Sequence, residues 1–346
     1  MAAVLVKEKE GVGAALEKLG FEPPKKVLVK PNLMGAHHGN SGMVTSPKVM
    51  DQLLGWLLDR GVDVVVGDSS AYKRDTGKAL EVSGIGKVLD KYGVEFIDLK
   101  KEPIVKKNGI EIAGIATKLP IINVPVLKTH AQTLMTIGCK NLKGIISDEE
   151  KRRFHREGLH EMIARLALTI KPALTLVDAT YGIDGLGPSS LGRRRYIGYL
   201  VAGDNNFDVD CTCCELVGVD WRQVGYLKLM SEKLGEPNIP RIEKKVRFKL
   251  PPQDKCHRVL GLSLYFGEAC SGCTSAIANA GKKLLKKHPF RLPFFKCGVY
   301  AGRGQNIPVG AIAVGSCTGT RCDVKGCPPE EEAILEALEK RLLKKM

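Results

Sequence analysis

Residues 46–70 read SPKVMDQLLGWLLDRGVDVVVGDSS. Apolar residues recur at helical spacing between Lys48 and Leu58, which predicts an amphipathic helix. Ser46 before Pro47 fits a helix start, the serine capping free N–H groups and the proline occupying the first turn. Gly61 ends the helix. Val62–Val66 is then a near-continuous apolar run, the kind a strand needs when both faces of its sheet are covered. It stops at Gly67-Asp68-Ser69-Ser70, a polar strand end. Helix, buried strand and polar strand end together form one half of a parallel α/β repeat.

The same grammar recurs outward from this stretch. Val27–Lys30 is a β-branched run stopping at Pro31-Asn32, residues 76–92 are helix-like, and Val94–Asp98 is strand-like. A buried run follows over Leu119–Leu127, then a helix near Leu159–Ile170 and a strand over Ala173–Asp178. Strands alternating with helices predict an α/β fold with a mainly parallel sheet and helices on both faces. After about residue 236 the chain changes character: Pro237, Pro240, Pro251 and Pro252 flank the basic segment Arg241–Lys249, as turns and linkers do. Beyond it come a strand over Val259–Phe266, a helix over Thr274–Lys287, strands near 297–301 and 310–315, and an amphipathic tail helix over 328–345. We therefore expect an α/β domain over 1–236 and a smaller, cysteine-rich α+β domain over 237–346.

In open parallel sheets ligands bind beyond the carboxyl ends of the strands. Four such ends are polar here: Lys30-Pro-Asn32, Gly67–Ser70, Lys128-Thr-His130 and Asp178. Their bases suit an anion, and their carboxylates suit a cation or the orientation of a base. Lys128, His130, Lys140 and Asp178 are the candidate catalytic residues. Lys30, Asn32, Asp68, Asn141 and Lys143 are the candidate substrate or cofactor contacts. The plain alternative is that each is an ordinary polar loop residue. The Gly-rich stretch Gly35–Gly42 matches neither nucleotide-binding glycine pattern, and His37 and His38 within it read as an exposed pair, with a metal-ligand role as the alternative.

Six short motifs fall in the order of the domain of unknown function 362 family, and the chain resembles that family over roughly residues 25–220. They are VLVKPNL (27–33), VVGDSS (65–70), NVPVLKTH (123–130), CKNLKG (139–144), LVDATYGIDGLGP (176–188) and VAGDNNFDVDCTCCELVGVD (201–220). The resemblance implies the α/β fold and a redox flavour, since many such proteins look like iron–sulfur proteins. It implies no particular reaction, and no ferredoxin-type cysteine run is present.

The 11 cysteines sort into two groups. Cys211, Cys213 and Cys214 lie on a predicted helix opened by an Asp cap and closed by Gly218, where cysteine acts as a small apolar residue. Cys139 neighbours the strand-end lysines, and Cys256 and Cys297 fall near or within strand-like runs. Cys270, Cys273, Cys317, Cys322 and Cys327 are the candidate metal ligands. Cys270-x2-Cys273 sits just before a helix, whose N–H groups favour an anionic thiolate cluster. Gly315, Gly319 and Gly326 let the second segment wrap closely, and Cys327-Pro328 has the ending of cluster-binding runs. One [4Fe–4S] cluster needs four of the five; Cys270, Cys273, Cys317 and Cys327 are preferred, with Cys322 as substitute. Zinc is the alternative, although the C-x4-C-x4-C spacing of the second segment is wide for it.

The formal net charge of +15 points to an anionic partner. An acidic electron carrier such as ferredoxin and an anionic small molecule both qualify, with Arg241–Lys249 and Lys282–Lys296 as docking segments. Nucleic acid fits less well, because aromatic residues are few and no known binding signature is present. No apolar run spans a membrane, and a charged N-terminus with thiols in odd number suggests a reducing, cytoplasmic setting. Homo-oligomerisation stays open. The sequence points to an iron–sulfur redox protein acting on an anionic substrate. Alternatives are a cluster-dependent lyase or hydratase acting on a hydroxy acid, and a nucleic-acid-binding protein with a structural metal.

Overall fold

A computed structural model describes residues 3–189, 191–251, 256–259, 262–290, 296–319 and 321–344. Pro252, residues 260–261 of the predicted strand, residues 291–295 of the second basic segment and Lys345 lie outside these. The chain forms two compact units: residues 1–128, 135–183 and 194–248 make the first, and 129–134, 184–193 and 249–346 the second.

In chain order the elements up to residue 248 are β1 (Val4–Lys7), α1 (Gly11–Leu19), β2 (Lys26–Lys30), α2 (Pro47–Leu58), β3 (Asp63–Asp68), α3 (Thr76–Ser83), α4 (Ile85–Tyr92), β4 (Phe96–Asp98), β5 (Ile104–Lys107), β6 (Ile110–Ala113), α5 (Ile115–Lys118), β7 (Ile121–Asn123), β8 (Val126–His130), β9 (Leu134–Thr136), α6 (Gly138–Asn141), α7 (Asp148–Glu157), α8 (Leu159–Thr169), β10 (Leu174–Gly185), β11 (Gly192–Gly203), α9 (Asn206–Leu216) and α10 (Gly225–Leu234). The main sheet runs β1-β11-β10-β7-β2-β3-β4, with β8 pairing β10. Its centre is parallel, as in Val27 opposite Val64, Val29 opposite Ile122 and Val66 opposite Phe96. Its margin is antiparallel, where β1 lies along β11.

The opening stretch folds as read. Ser46 accepts a hydrogen bond from the Lys48 N–H, and Pro47 begins α2. Val49, Met50, Leu53, Leu54 and Leu57 are buried on one stripe of that helix against Val27, Val29, Val64 and Val66. Leu28, also fully buried, lies outside that core cluster, as the alternation of strand side chains requires. Burying each such side chain stabilises the fold by about 1.5–3 kcal/mol.

Three details differ from the sequence reading. The helix-like stretch 76–92 is two helices, because Gly84 takes φ 81° and breaks the hydrogen-bond ladder between α3 and α4. The run 119–127 is divided between β7 and β8 at Pro125, which has no N–H for the ladder. The cap of α9 is Asn205, which accepts from the Phe207 and Asp208 N–H groups, and not an aspartate.

The second unit contains β12 (Cys256–Val259), β13 (Leu262–Phe266), α11 (Ser271–Lys287), β14 (Cys297–Ala301), β15 (Ile312–Val314) and α12 (Glu331–Lys344). Its sheet runs β12-β13-β14-β15; the first pair is antiparallel and the others parallel. Leu264, Phe266, Val299 and Val314 from the sheet pack with Ile277, Leu284, Ile334 and Leu338 from the helices, and Leu186 joins this core. The two helices also exchange charge: Lys283 pairs with Glu331 and Glu332, and Lys287 with Glu339. Two lysines of the second basic segment are thus already matched.

Candidate functional site

In the first unit the ends of β2, β3, β7 and β8 carry one connected polar network. Lys30 Nζ donates to Asp68 Oδ1 at 2.7 Å, with both side chains almost fully buried. The other carboxylate oxygen accepts the Leu33 N–H at 2.6 Å. Lys128 Nζ donates to Asn32 Oδ1 at 2.5 Å and to the Met43 carbonyl at 2.6 Å. Asn32 Nδ2 donates to Asn141 Oδ1 at 2.8 Å, and Asn141 Nδ2 donates to Asn123 Oδ1 at 2.9 Å. Five of the nominated residues, Lys30, Asn32, Asp68, Lys128 and Asn141, therefore share one location. Gly144 lets the chain pass against them: a Cβ there would lie 2.0 Å from Asp68 Oδ1 and 2.5 Å from Lys30 Nζ.

Electrostatically the location is rich in cations. Burial pushes the Lys30 ammonium below its ordinary value, with Asp68 working in the opposite direction. Lys128 is pushed down to about 7, by burial first and also by Lys30, against the attraction of Asp68 and Asp178. Lys140 is likewise lowered to about 7, by desolvation and by the neighbouring Lys128. Lys140 is only half-buried, and among the described residues its ammonium has no hydrogen-bond or ion-pair partner. His37, half-buried, is lowered by burial and by the charges of Lys128 and Arg74, so the Gly-rich loop reaches the same location.

The other nominated residues do different work. Asp178 is buried and its oxygens accept the Ser46 and Thr180 N–H groups, so it holds the entry to α2. Burial raises its carboxyl above the usual range. Lys143 lies 3.4 Å from the His155 ring, over the Phe154 face. In the second unit, His130 is buried and its Nδ1 accepts the Gln132 and Thr133 N–H groups, which closes a turn. The sequence reading missed Asn123, although a lone polar residue within the apolar run 119–127, two residues before Pro125, was a usable signal. It also missed buried Lys151, which donates to Ser69 Oγ at 2.7 Å and the Ser70 carbonyl at 2.8 Å; nothing in the charged run of α7 marks it.

A shallow surface hollow lined by Asn108, Arg165, Leu168, Thr169 and Lys233 shares no residue with these strand ends. Cys139, Cys211, Cys213 and Cys214 are fully buried, and burial pushes each thiol up, which keeps them protonated and apolar. Asp210 accepts the Gly138 and Cys139 N–H groups at 2.7 and 3.0 Å, fixing α6 and hence Lys140 and Asn141.

The second unit gathers thiols. Cys270 is the residue before the first turn of α11, in extended conformation, and Cys273 is buried within that turn. Cys317 sits in a short turn after Gly315, whose φ is 96°. A Cβ on Gly315 would lie 3.3 Å from Cys273 Sγ and 3.8 Å from Cys317 Sγ, so both sulfurs flank that glycine. A Cβ on Gly272 would meet Pro328 at 3.1 Å and Cys270 Sγ at 3.5 Å, so the Cys-Pro segment packs on the start of α11. The Cys273 thiol is pushed up by a hydrogen bond with Cys270, by burial and by the charges of Cys270, Cys317 and Cys327. Burial raises Cys317, with Cys270 and Cys327 adding to the effect, while the Gly302 N–H donates to its sulfur. Cys322 points elsewhere, its thiol donating to the Val324 carbonyl at 3.4 Å. Cys327 is exposed. Among the described residues no three His, Cys, Asp or Glu side chains are already arranged to hold a metal ion.

The model of the family described as Domain of unknown function (DUF362) matches residues 27–215, more than half of the chain and the part that carries the strand-end network. Thylakoid-associated protein sll1697 of Synechocystis sp. is 28% identical over 221 residues, which cover 59% of this chain and 68% of that protein. No solved structure matches the chain. No described helix is long and apolar enough to cross a membrane.

Proposed function

The chain belongs to the DUF362 family, and on that premise we propose that it is an iron–sulfur redox protein that acts on an anionic substrate. One [4Fe–4S] cluster would be held by Cys270, Cys273, Cys317 and Cys327, and the substrate by the strand-end lysines. The observation that carries this reading is the grouping of those four thiols, drawn from two distant segments, with the charges of Cys270 and Cys327 helping to raise the thiols of Cys273 and Cys317. Thiols that repel one another as thiolates form a site that a cationic centre stabilises. The donor set fits: it is all sulfur, has the Gly302 N–H on Cys317, and lies at the start of α11, where free N–H groups favour negative charge. Closing the shell requires Cys327 to turn inward from its exposed position.

Such a cluster, when bound, supplies one-electron transfer. The protein's own residues hold and tune it: Gly315 admits Cys273 and Cys317 side by side, and Pro328 packs against Gly272. An acidic electron carrier such as ferredoxin would meet the exposed Arg241, Lys244 and Arg247, since Lys283 and Lys287 are already paired. Charge complementarity there accelerates encounter. The eleven free thiols fit a reducing, cytoplasmic setting.

Anaerobic purification followed by iron and acid-labile sulfide analysis tests the reading. We expect about four of each per chain, lost in Cys273→Ser and kept in Cys322→Ser. Stoichiometric zinc without sulfide would replace this reading with a structural site. The exposure of Cys327 favours one second reading: if Cys327→Ser keeps its iron, the cluster has an open coordination position, and Lewis-acid chemistry on a hydroxy acid becomes the better account.

A further inference from the structure

We propose that the strand-end site takes the oxyanion of a small molecule, a phosphate or carboxylate group, against the Lys140 ammonium, and that this binding draws protons from solvent. The inference rests on the anion-site reading above and adds to it the ligand group and a proton count.

The argument is one of charge and of missing acceptors. Lys30 is matched by Asp68 at 2.7 Å. Lys128 is nearly inaccessible, and the oxygens it donates to, on Asn32 and Met43, are neutral. The charged groups acting on it are Asp68, Lys30 and Asp178, with Lys140 and His37 facing it from α6 and the Gly-rich loop. Asp178 has its oxygens occupied by the Ser46 and Thr180 N–H groups. Lys140 has access to solvent, a second cation for a neighbour and no acceptor among the described residues. An ammonium crowded by a second cation and left without an acceptor is costly, so Lys140 is held partly as the free amine. A bound oxyanion provides both the acceptor and the opposite charge. The neutral Lys140 amine then takes a proton from the buffer and donates to the oxyanion, while Lys128 stays on Asn32 and Met43 and is favoured as an ammonium by the added negative charge nearby. With both lysines titrating near 7, each is about one-tenth protonated at pH 8, so binding there takes up about one proton per lysine. A cation would find no unengaged carboxylate here and would meet repulsion.

The test uses the full-length protein and two probes, inorganic phosphate and succinate. Competitive acetylation between about pH 6 and pH 10, read by peptide mass spectrometry, gives the midpoint of Lys140 reactivity. Calorimetry of each probe in buffers of different ionisation enthalpy counts protons. We expect a midpoint near 7 without probe. Phosphate or succinate should protect Lys140 and raise that midpoint by about 1–3 pH units, with about one to two protons taken up at pH 8. Protection by phosphate alone, or by succinate alone, supports the proposal and assigns the group. Lys128→Gln should raise the unliganded Lys140 midpoint by removing its neighbour's charge. Protection without proton uptake, or an unliganded midpoint above about 9.5, overturns the proton coupling and leaves the anion site standing. Failure of both probes to protect Lys140 overturns the anion site as well.

Discussion

Replacing Asp68 with Asn isolates the electrostatic core of the strand-end network. The amide keeps an acceptor for the Leu33 N–H, which Asp68 binds at 2.6 Å, but removes the charge opposite Lys30, 2.7 Å away in a fully buried position. Breaking a buried pair by deleting one partner costs about 3–5 kcal/mol, because the remaining charge is left without its counter-ion. An upper bound follows from titration. Instead of staying charged, Lys30 can release its proton, which at pH 7 costs about 1.4 kcal/mol for each of the roughly 3.5 pH units below its ordinary 10.5, or about 5 kcal/mol. The deficit at pH 7 should therefore fall between about 3 and 5 kcal/mol.

The sign of the pH dependence follows. Burial already lowers the Lys30 value, so the folded state binds fewer protons than the unfolded one, and stability rises with pH between the lowered value and 10.5. The Asp68→Asn change removes the opposing attraction, lowers Lys30 further and steepens that rise. At pH 10 releasing the proton costs only about 0.7 kcal/mol, so the deficit narrows. Urea unfolding of wild type, Asp68→Asn and Lys30→Met/Asp68→Asn at both pH values measures this, the double variant recovering most of the loss. A deficit below about 1 kcal/mol at pH 7, or one that widens at pH 10, would refute the reasoning.

Gly144→Ala places a methyl 2.0 Å from Asp68 Oδ1 and should lower stability by about 1–3 kcal/mol, read as a fall in thermal midpoint. Gly315→Ala forces a side chain into φ 96° and against Cys273 Sγ, at a cost of about 1–3 kcal/mol; it should reduce bound iron per chain in anaerobic preparations. Asn205→Ala removes the acceptor for two N–H groups at the start of α9 and should cost about 1 kcal/mol by denaturant unfolding.

The parallel centre of the sheet was legible because its signals are local. A capped amphipathic helix followed by a β-branched run reads the same whatever surrounds it, and the polar ends Lys30, Asp68 and Lys128 announced themselves by breaking apolar runs. Features set by distant partners were not legible. Strand β1 is four residues long and joins the sheet by pairing with β11, nearly two hundred residues later. The basic run in β11, Arg193-Arg194-Arg195, carries no apolar strand signal; Asp184 takes Arg193 and the Tyr181 ring takes Arg194. Lys283 and Lys287 on α11 find partners in Glu331, Glu332 and Glu339, which come only after two intervening strands. Asp178 and His130 had the right residue types at strand ends, but backbone N–H groups claim their acceptor atoms, and that competition has no sequence signature.

The second unit is not a bead threaded on the end of the chain. Residues 129–134 and 184–193 belong to it along with 249–346, and Leu186 and Leu191 pack with its core. During synthesis those two segments leave the ribosome well before the strands and helices they pack against. At typical translation speeds they wait on the order of ten seconds with apolar side chains uncovered. A nascent chain in that condition is a natural client for chaperones. A premature stop near residue 248 would make the condition permanent, so loss of the cysteine-bearing region would jeopardise the solubility of everything made before it.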